Sequence, residues 1–166
     1  MKKVLIYYSR TGRTEVLSRA IGEKIGADII AIKEKRDRRG IFSFMRAGYD
    51  ARREKGTEIE PRTMELQGYE TVIIATPVWS SCPSPAIREF VIRNSFKDRK
   101  IILVATCYIA GWRNCLNRLS ELIREGSVIG KYGLRTLFVS KEGVRKKGEE
   151  TGEKIKALLL SIHPDR

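Results

Sequence analysis

Cysteine and histidine are scarce in this sequence. The chain of 166 residues contains three cysteines, Cys82, Cys107 and Cys115, without a C-x-x-C pair, and one histidine, His163. An odd number of isolated cysteines excludes a disulfide framework, and so few thiols and imidazoles argue against a structural zinc site. We therefore predict three reduced thiols and no metal site. We expect His163, close to the last residue, to be solvated and without a catalytic role.

Long apolar runs are also missing. No run approaches the 18 or so residues of a membrane span. The opening segment MKKVLIYYSRTG has only five consecutive apolar residues, which is too few for a signal peptide. The sequence therefore predicts a cytoplasmic protein with no membrane partner.

Acidic residues are in deficit. The chain has 33 lysines and arginines against 20 aspartates and glutamates, a net charge of +13, which predicts an anionic ligand or partner. Basic and acidic residues are interleaved, as in KEKRDRR, so the pattern does not favour nucleic acid. Glutamine occurs once and asparagine three times beside abundant Lys, Arg and Glu, a composition typical of heat-adapted proteins. We expect a thermostable protein.

Five segments have the composition of strands. Two of them, TVIIAT and KIILVAT, are continuous apolar runs, as expected of parallel strands that are buried on both faces. The predicted strands are Lys3–Ser9, Ala27–Lys33, Thr71–Thr76, Lys100–Thr106 and Leu134–Ser140.

Apolar residues at helical spacing follow most of these strands. The four stripes are Val16, Leu17, Ala20, Ile21 and Ile25; Ile87, Phe90 and Val91; Trp112, Leu116, Leu119 and Ile123; and Ile155, Leu158, Leu159 and Ile162. Alternating strands and helices predict an α/β fold with a parallel sheet covered on both sides. No repeat or linker divides the chain, so we predict a single domain over residues 1–166.

The connection between the second and third predicted strands, residues 34–70, is unusually long. Ile41, Phe44, Met45 and Tyr49 have helical spacing within it, and we predict a helix that ends at Gly56. Long loops in compact domains are often functional. We expect this segment to dock a partner or to form a homodimer contact.

The loop after the first strand, SRTGRT, has the composition of a phosphate site. In an open parallel sheet, ligands bind beyond the carboxyl ends of the strands. A hydroxyl-rich turn that opens a helix offers backbone N–H groups, O–H donors and a positive helix end. It lacks the sequences of a nucleotide P-loop and of a dinucleotide fold. The alternative is an ordinary turn in which Thr11 or Thr14 caps the helix.

Two further loops leave the same predicted edge of the sheet. ATPVWSSCPSP follows the third strand, and its Trp79 is either a core residue or a stacking surface for a planar ligand. ATCYIAGWRN follows the fourth strand and contributes Tyr108 and Gly111. The three loops together predict one binding site.

These motifs resemble the flavodoxin family. The segment YYSRTGRTEVLSRAIGEKIGADI is similar to that family's first strand, its S/T-x-T-G-x-T loop and its first helix. LQGYETVIIATPVW resembles the third strand and the loop that follows it. The resemblance implies a flavodoxin-like three-layer sandwich with a five-stranded parallel sheet in the order 2-1-3-4-5, and FMN as the cofactor.

The resemblance also implies which residues hold FMN. The first loop of the family binds the phosphate, and the second and third loops flank the isoalloxazine ring. Carried over by position, the cofactor-binding residues are Ser9, Arg10, Thr11, Gly12, Arg13 and Thr14; Thr76, Pro77, Val78 and Trp79; and Thr106, Cys107 and Tyr108. Basic residues near the ring would stabilise an anionic reduced flavin.

The resemblance to the flavodoxin family implies a role in electron transfer, as a carrier or as a small reductase. No convincing catalytic acid or base is evident, which favours the carrier. Electron-carrying flavodoxins are typically acidic, whereas this chain is basic, so we expect an acidic redox partner protein.

Two other functions stay open at this stage. Cys107 and Arg113 have the cysteine-five-residues-arginine spacing of phosphatases that form a cysteinyl-phosphate. Cys82 and Arg88 have the same spacing, with two prolines that remove N–H donors. A flavin-free regulatory or binding module on the same fold is the other alternative.

Overall fold

The computed structural model describes residues 2–35 and 56–162 of the chain. The helix that we predict through Ile41, Phe44, Met45 and Tyr49 lies outside the described residues up to its predicted end at Gly56, and His163 also lies outside them. The described strands are β1 (Lys3–Tyr7), β2 (Asp28–Ala31), β3 (Lys33–Glu34), β4 (Ile59–Glu60), β5 (Thr71–Trp79), β6 (Cys82–Pro83), β7 (Lys100–Cys107) and β8 (Ser127–Arg135). The described helices are α1 (Arg13–Ile25), α2 (Pro85–Arg93), α3 (Trp112–Leu122) and α4 (Lys141–Ile162).

Five strands form a parallel sheet in the order β2-β1-β5-β7-β8. Since β5, β7 and β8 are the third, fourth and fifth of the predicted strands, this is the predicted order 2-1-3-4-5. The short strand β6 returns antiparallel along the end of β5. β3 and β4 form a separate antiparallel pair.

The sheet separates two hydrophobic layers. Successive side chains of a strand point to opposite faces, and in β1 Val4 and Ile6 pack with α2 and α3, while Leu5 and Tyr7 pack with α1 and α4. All four of these β1 residues are nearly inaccessible to solvent. The predicted three-layer α/β architecture is confirmed. None of the helices in the described part of the chain has the length and apolar character needed to cross a membrane.

Helices α1 and α4 pack closely because α4 places two glycines on its buried face. A Cβ atom built on Gly148 would lie 2.7 Å from the Cβ of Ala20 and 3.0 Å from the carbonyl oxygen of Leu17. A Cβ atom built on Gly152 would likewise lie 2.8 Å from the Cβ of Lys24. Glycine therefore sets the distance between the two helices that cover one face of the sheet.

The bounds of the fifth strand differ from those predicted from the sequence. We predicted Leu134–Ser140, but β8 ends at Arg135 and begins at Ser127. Two glycines in a half-exposed edge strand look like a loop in the sequence, yet Gly133 leaves room for the ring of Trp112, with which a Cβ atom would collide. The apolar residues beyond Arg135 form a turn, in which Phe138 has a φ of 56°.

The third strand is also longer than predicted. We ended it at Thr76, with Pro77 and Trp79 in a loop, but β5 continues to Trp79. The turn at Ser80 and Ser81, both with positive φ, then reverses the chain into β6. A proline is tolerated at position 77 because β5 is paired there on one side alone, with β7. The pairing of β5 with β1 ends at Ala75, and its pairing with β6 begins at Val78.

Candidate functional site

A cavity of about 300 Å³ opens at the carboxyl ends of β1, β5, β7 and β8. Four segments that are distant in the sequence meet around it. The lining residues are Arg10, Thr11, Arg13, Thr14, Pro77, Val78, Trp79, Ser80, Thr106, Cys107, Tyr108 and Thr136. Ten of the thirteen predicted site residues are in this set, and Ser9, Gly12 and Thr76 are not.

The first loop places an uncapped helix end at the cavity. Gly12 is the N-cap of α1, with a φ of 83°, and no side chain among the described residues caps this helix. Glycine adopts this left-handed conformation without strain. The first backbone N–H groups of α1 consequently remain available to an anion.

The hydroxyls of the first loop have different surroundings. The Oγ atom of Ser9 is buried and has no hydrogen-bond partner among the described residues. Thr11 is exposed at the rim. Thr14 is buried, and its hydroxyl lies 2.7 Å from that of Thr106 on β7, so these two groups hydrogen bond to each other beneath the cavity. An anion on the loop would give Ser9 the partner that it lacks.

Arg13 links the first loop to the segment after β8. Its Nη1 atom donates to the carbonyl oxygens of Thr136, at 3.1 Å, and Val139, at 2.6 Å. The guanidinium thus lines the cavity and also holds a second segment of its wall. Sequence reasoning placed Arg13 in a variable position of a phosphate loop and could not foresee this contact.

A buried hydrogen bond supports the wall formed by the end of β5. The hydroxyl of Thr76 accepts a hydrogen bond from the backbone N–H of Ser84 at 3.0 Å, which ties β5 to the start of α2. Thr76 is fully buried and therefore supports the wall from behind. Trp79 is 7% exposed and meets Tyr8 edge-on at 5.8 Å between ring centroids, so it is mainly a packed residue with an edge on the cavity.

The wall formed by the end of β7 carries an aromatic ring and a thiol. Tyr108 is 50% exposed, so part of its side chain is accessible to a ligand in the cavity. Cys107 is buried, and burial raises the pKa of its thiol, with Arg135 acting in the opposite direction. A backbone hydrogen bond with Trp112 also acts to lower the pKa of this thiol, but burial has the larger effect.

Two lining residues were missed in the sequence. Thr136 donates its hydroxyl to the carbonyl oxygen of Cys107 at 3.1 Å, next to the backbone hydrogen bond of 2.8 Å between the same residues. It follows the fifth strand directly, so correct placement of β8 would have found it. Ser80 lies in the hairpin turn, where its positive φ of 51° has no clear sequence signal.

The geometry does not resemble a cysteinyl-phosphate site. The guanidinium of Arg113 lies 4.8 Å from the ring centroid of Trp112, against which it stacks. A nucleophilic cysteine needs a lowered pKa, whereas the pKa of Cys107 is raised. Cys82 is buried in β6, so the second pair with this spacing does not present an open thiol either.

The charged side chains that line the cavity are all positive. Arg10 and Arg13 are the ionised groups among the described lining residues, and none of these is Asp, Glu or His. Aromatic and aliphatic surface from Val78, Trp79 and Tyr108 completes the wall. The cavity therefore suits a ligand that has an anionic end and a flat apolar part.

Comparison with solved structures identifies the fold. A protein from Bacteroides uniformis that is provisionally named a flavoprotein has a TM-score of 0.73 at 19% identity, over 88% of this chain and 96% of that one. A flavoprotein in complex with FMN from Lactobacillus acidophilus has a TM-score of 0.69 at 18% identity, over 80% and 92%. The fold is flavodoxin-like. Oxidised flavodoxin 2 from Bacillus cereus has a TM-score of 0.59 at 14% identity, over 95% of this chain and 99% of that one.

Comparison by sequence adds nothing to this assignment. No family model matches the chain, and no curated protein does. At identities below 20%, the structural likeness describes the flavodoxin-like fold alone.

Proposed function

We propose that the chain binds FMN in the cavity at the carboxyl edge of the sheet and transfers electrons through it. The observation that carries this proposal is the position of the uncapped N-terminus of α1, whose first two residues, Arg13 and Thr14, line the cavity. The other lining residues include Val78, Trp79 and Tyr108. The N-terminus of a helix suits a phosphate, and the aromatic and aliphatic wall suits a flat ring system. The FMN complex of the Lactobacillus acidophilus flavoprotein supports the choice of ligand.

The residues fit FMN at both ends of the cavity. The amides at the start of α1, the unpartnered hydroxyl of Ser9 and the exposed hydroxyl of Thr11 would hold the phosphate, and Arg10 would add positive charge. Val78, Trp79 and Tyr108 would contact the ring. When bound, FMN supplies the capacity to accept and release electrons one or two at a time.

The chain's own groups favour a carrier over a reductase with a catalytic acid or base. None of the described lining residues is His, Asp or Glu, and proton transfer in catalysis most often uses those side chains. A carrier needs only to bind the flavin, exclude part of the solvent and expose an edge to its partner. We further propose that the protein acts in the cytoplasm, is thermostable and exchanges electrons with an acidic protein.

Titration of the purified chain with FMN tests the binding. We expect quenched flavin fluorescence and a shifted absorbance spectrum that saturate at one FMN per chain. Ser9→Ala should weaken binding, because it removes the free donor of the loop. Ser18→Ala is the matched control, since Ser18 also has a buried hydroxyl without a described partner but lies within α1, whereas Ser9 belongs to the loop that precedes this helix. Unchanged FMN fluorescence at saturating protein would refute the proposal.

A second assay separates the carrier from the reductase. Steady oxidation of NAD(P)H by the FMN-loaded chain alone would show a reductase. We expect no such oxidation, and reduction of the flavin only when a second redox protein is present.

A further inference from the structure

Exposed apolar side chains are concentrated beside the cavity. Six large hydrophobic residues are exposed in the described part of the chain, and four of them lie in two segments that border the cavity. These four, which we name the apolar rim, are Tyr108, Ile109, Leu137 and Phe138. Phe138 is 98% exposed and Ile109 is 65% exposed. Contiguous apolar surface of this kind commonly marks an interaction site.

Backbone hydrogen bonds hold together the two segments that carry the apolar rim. The backbone N–H groups of Thr136 and Leu137 donate to the carbonyl oxygens of Cys107 and Tyr108, at 2.8 and 3.1 Å, so the two segments continue the β7–β8 pairing beyond the sheet. The backbone N–H of Val139 closes a turn on the carbonyl oxygen of Thr136 at 3.2 Å. Phe138 has a φ of 56° in that turn, a conformation that costs a bulky residue free energy. The fold thus holds this ring in solvent.

The charged residues within the two segments that carry the apolar rim are all positive, and the nearest acidic residue along the chain is Glu142. The two segments that carry it, residues 107–113 and 135–141, contain Arg113, Arg135 and Lys141 and no aspartate or glutamate. All three cations are exposed. With a net charge of +13, a second copy of this chain would be repelled from such a surface, whereas an acidic surface would be attracted.

A protein fits this surface better than a membrane does. Protein interfaces combine a central apolar patch with a polar surround, which is the arrangement of the apolar rim and its three cations. Segments that bind anionic membranes through charge typically cluster about four to eight lysines and arginines, and these two segments have fewer. Because Tyr108 belongs both to the apolar rim and to the cavity wall, a protein docked here would lie against the proposed flavin.

We propose that the apolar rim and Arg113, Arg135 and Lys141 form the docking surface for an acidic redox protein whose contact face has an apolar centre. The inference rests on the proposed function, since docking at this place serves electron exchange with a flavin in the adjacent cavity. In the exchange, two one-electron carriers together deliver two electrons to one flavin, and the protons come from solvent.

The test uses a strongly acidic two-iron ferredoxin as the probe and two variants that leave the cavity lining intact. Phe138→Ser removes the most exposed apolar group. Lys141→Glu reverses a charge in the first turn of α4, where an acidic residue suits the helix dipole. Ile92→Ser and Lys97→Glu are matched controls, because both residues are exposed and lie away from the cavity lining.

We expect labelled ferredoxin to bind the wild-type chain at low salt and to dissociate as salt is raised. Phe138→Ser and Lys141→Glu should each weaken binding about five- to tenfold, and the controls should stay within about twofold. In FMN-loaded protein, reduction of the flavin by reduced ferredoxin should slow in the same variants, while reoxidation by a small neutral quinone stays unchanged.

Three results would overturn the inference. Equal ferredoxin affinity of the wild-type chain, the two variants and the two controls would show that the apolar rim is not part of the interface. Tighter binding of a basic cytochrome c than of ferredoxin would show that the surface prefers a basic partner to an acidic one. Binding to phosphatidylglycerol vesicles that is lost in Phe138→Ser, without ferredoxin binding, would assign the surface to a membrane. A chain that binds ferredoxin at the apolar rim but does not bind FMN would refute the proposed function alone.

Discussion

Arg13 and Thr136 are 123 positions apart in the sequence, and the guanidinium of Arg13 donates to the carbonyl oxygen of Thr136 at 3.1 Å. The same Nη1 atom donates to Val139 at 2.6 Å. One side chain at the start of α1 therefore fixes the turn that follows β8. This contact joins the end of the cavity at the N-terminus of α1 to the wall that carries Thr136.

Arg13→Ala should destabilise the protein by about 1–2 kcal/mol, because it removes two hydrogen bonds from a charged donor at a partly buried site. The midpoint of urea unfolding measures the loss. Arg19→Ala is the control, since Arg19 makes an exposed pair with Glu15 at 3.0 Å, a kind of pair that contributes little. Equal unfolding midpoints for the two variants would show that the Arg13 contact does not stabilise the turn.

The hydroxyls of Thr14 and Thr106 form a buried pair, so their removal should affect stability more than cofactor binding. Thr14→Val leaves the Thr106 hydroxyl without its partner and should cost about 1–3 kcal/mol of unfolding free energy. The double variant Thr14→Val/Thr106→Val should cost less than the sum of the single variants. Additive effects in urea unfolding would contradict the pairing.

Thr11→Val is the counterpart at the exposed rim of the same loop. It should weaken FMN binding by about 1 kcal/mol if the hydroxyl donates to the phosphate, and it should leave stability nearly unchanged. FMN titration and urea unfolding of this one variant separate the two effects. A loss of stability without a loss of FMN affinity would place the hydroxyl in the fold instead of in the binding site.

Sequence periodicity predicted a parallel sheet and the loops at its edge because buried parallel strands such as β5 and β7 are continuous apolar runs. The strand order was implied by the resemblance to the flavodoxin family. The same reasoning was wrong about β8, an edge strand whose Gly130 and Gly133 make way for neighbouring side chains. It then took Leu137 and Phe138 for part of a strand, although both lie in an exposed turn. Apolar composition alone does not separate a core strand from an exposed turn.

The candidate site was predictable where local sequence determines local shape. Gly12 and the hydroxyls of the first loop follow directly from a strand-to-helix turn. Long-range contacts had no such signal: the Thr14–Thr106 pair and the contact from Arg13 to Val139 depend on which strand ends lie side by side. Thr136 was missed because the strand before it was misplaced.

Gly148 offers a test of the packing between α1 and α4. Helix propensity alone predicts that Gly148→Ala stabilises a helix by about 1 kcal/mol. We expect the opposite sign, a loss of about 1–3 kcal/mol, because the added methyl group would lie 2.7 Å from Ala20 and 3.0 Å from a backbone oxygen. Gly68→Ala is the control, since no atom lies within 4 Å of its built Cβ. A stabilised Gly148→Ala variant would show that the helices are farther apart.

Cys107 should react slowly with thiol reagents. Burial raises the pKa of its thiol, so at pH 7 to 8 the group is neutral, and its reactivity increases only as the pH rises above the ordinary pKa of a cysteine. Iodoacetamide labelling followed by mass spectrometry measures this pH dependence. Rapid labelling of Cys107 near pH 6, together with phosphatase activity that Cys107→Ser abolishes, would support the cysteinyl-phosphate alternative.

The central claim is that the loop at Gly12 holds the phosphate of a flavin, and comparison of FMN with riboflavin tests it most directly. The two ligands share the ring system and differ by the phosphate group. Several hydrogen bonds to a charged phosphate predict that FMN binds at least about 100-fold more tightly than riboflavin in parallel fluorescence titrations. Equal affinities for the two ligands, or no binding of either, would contradict the account.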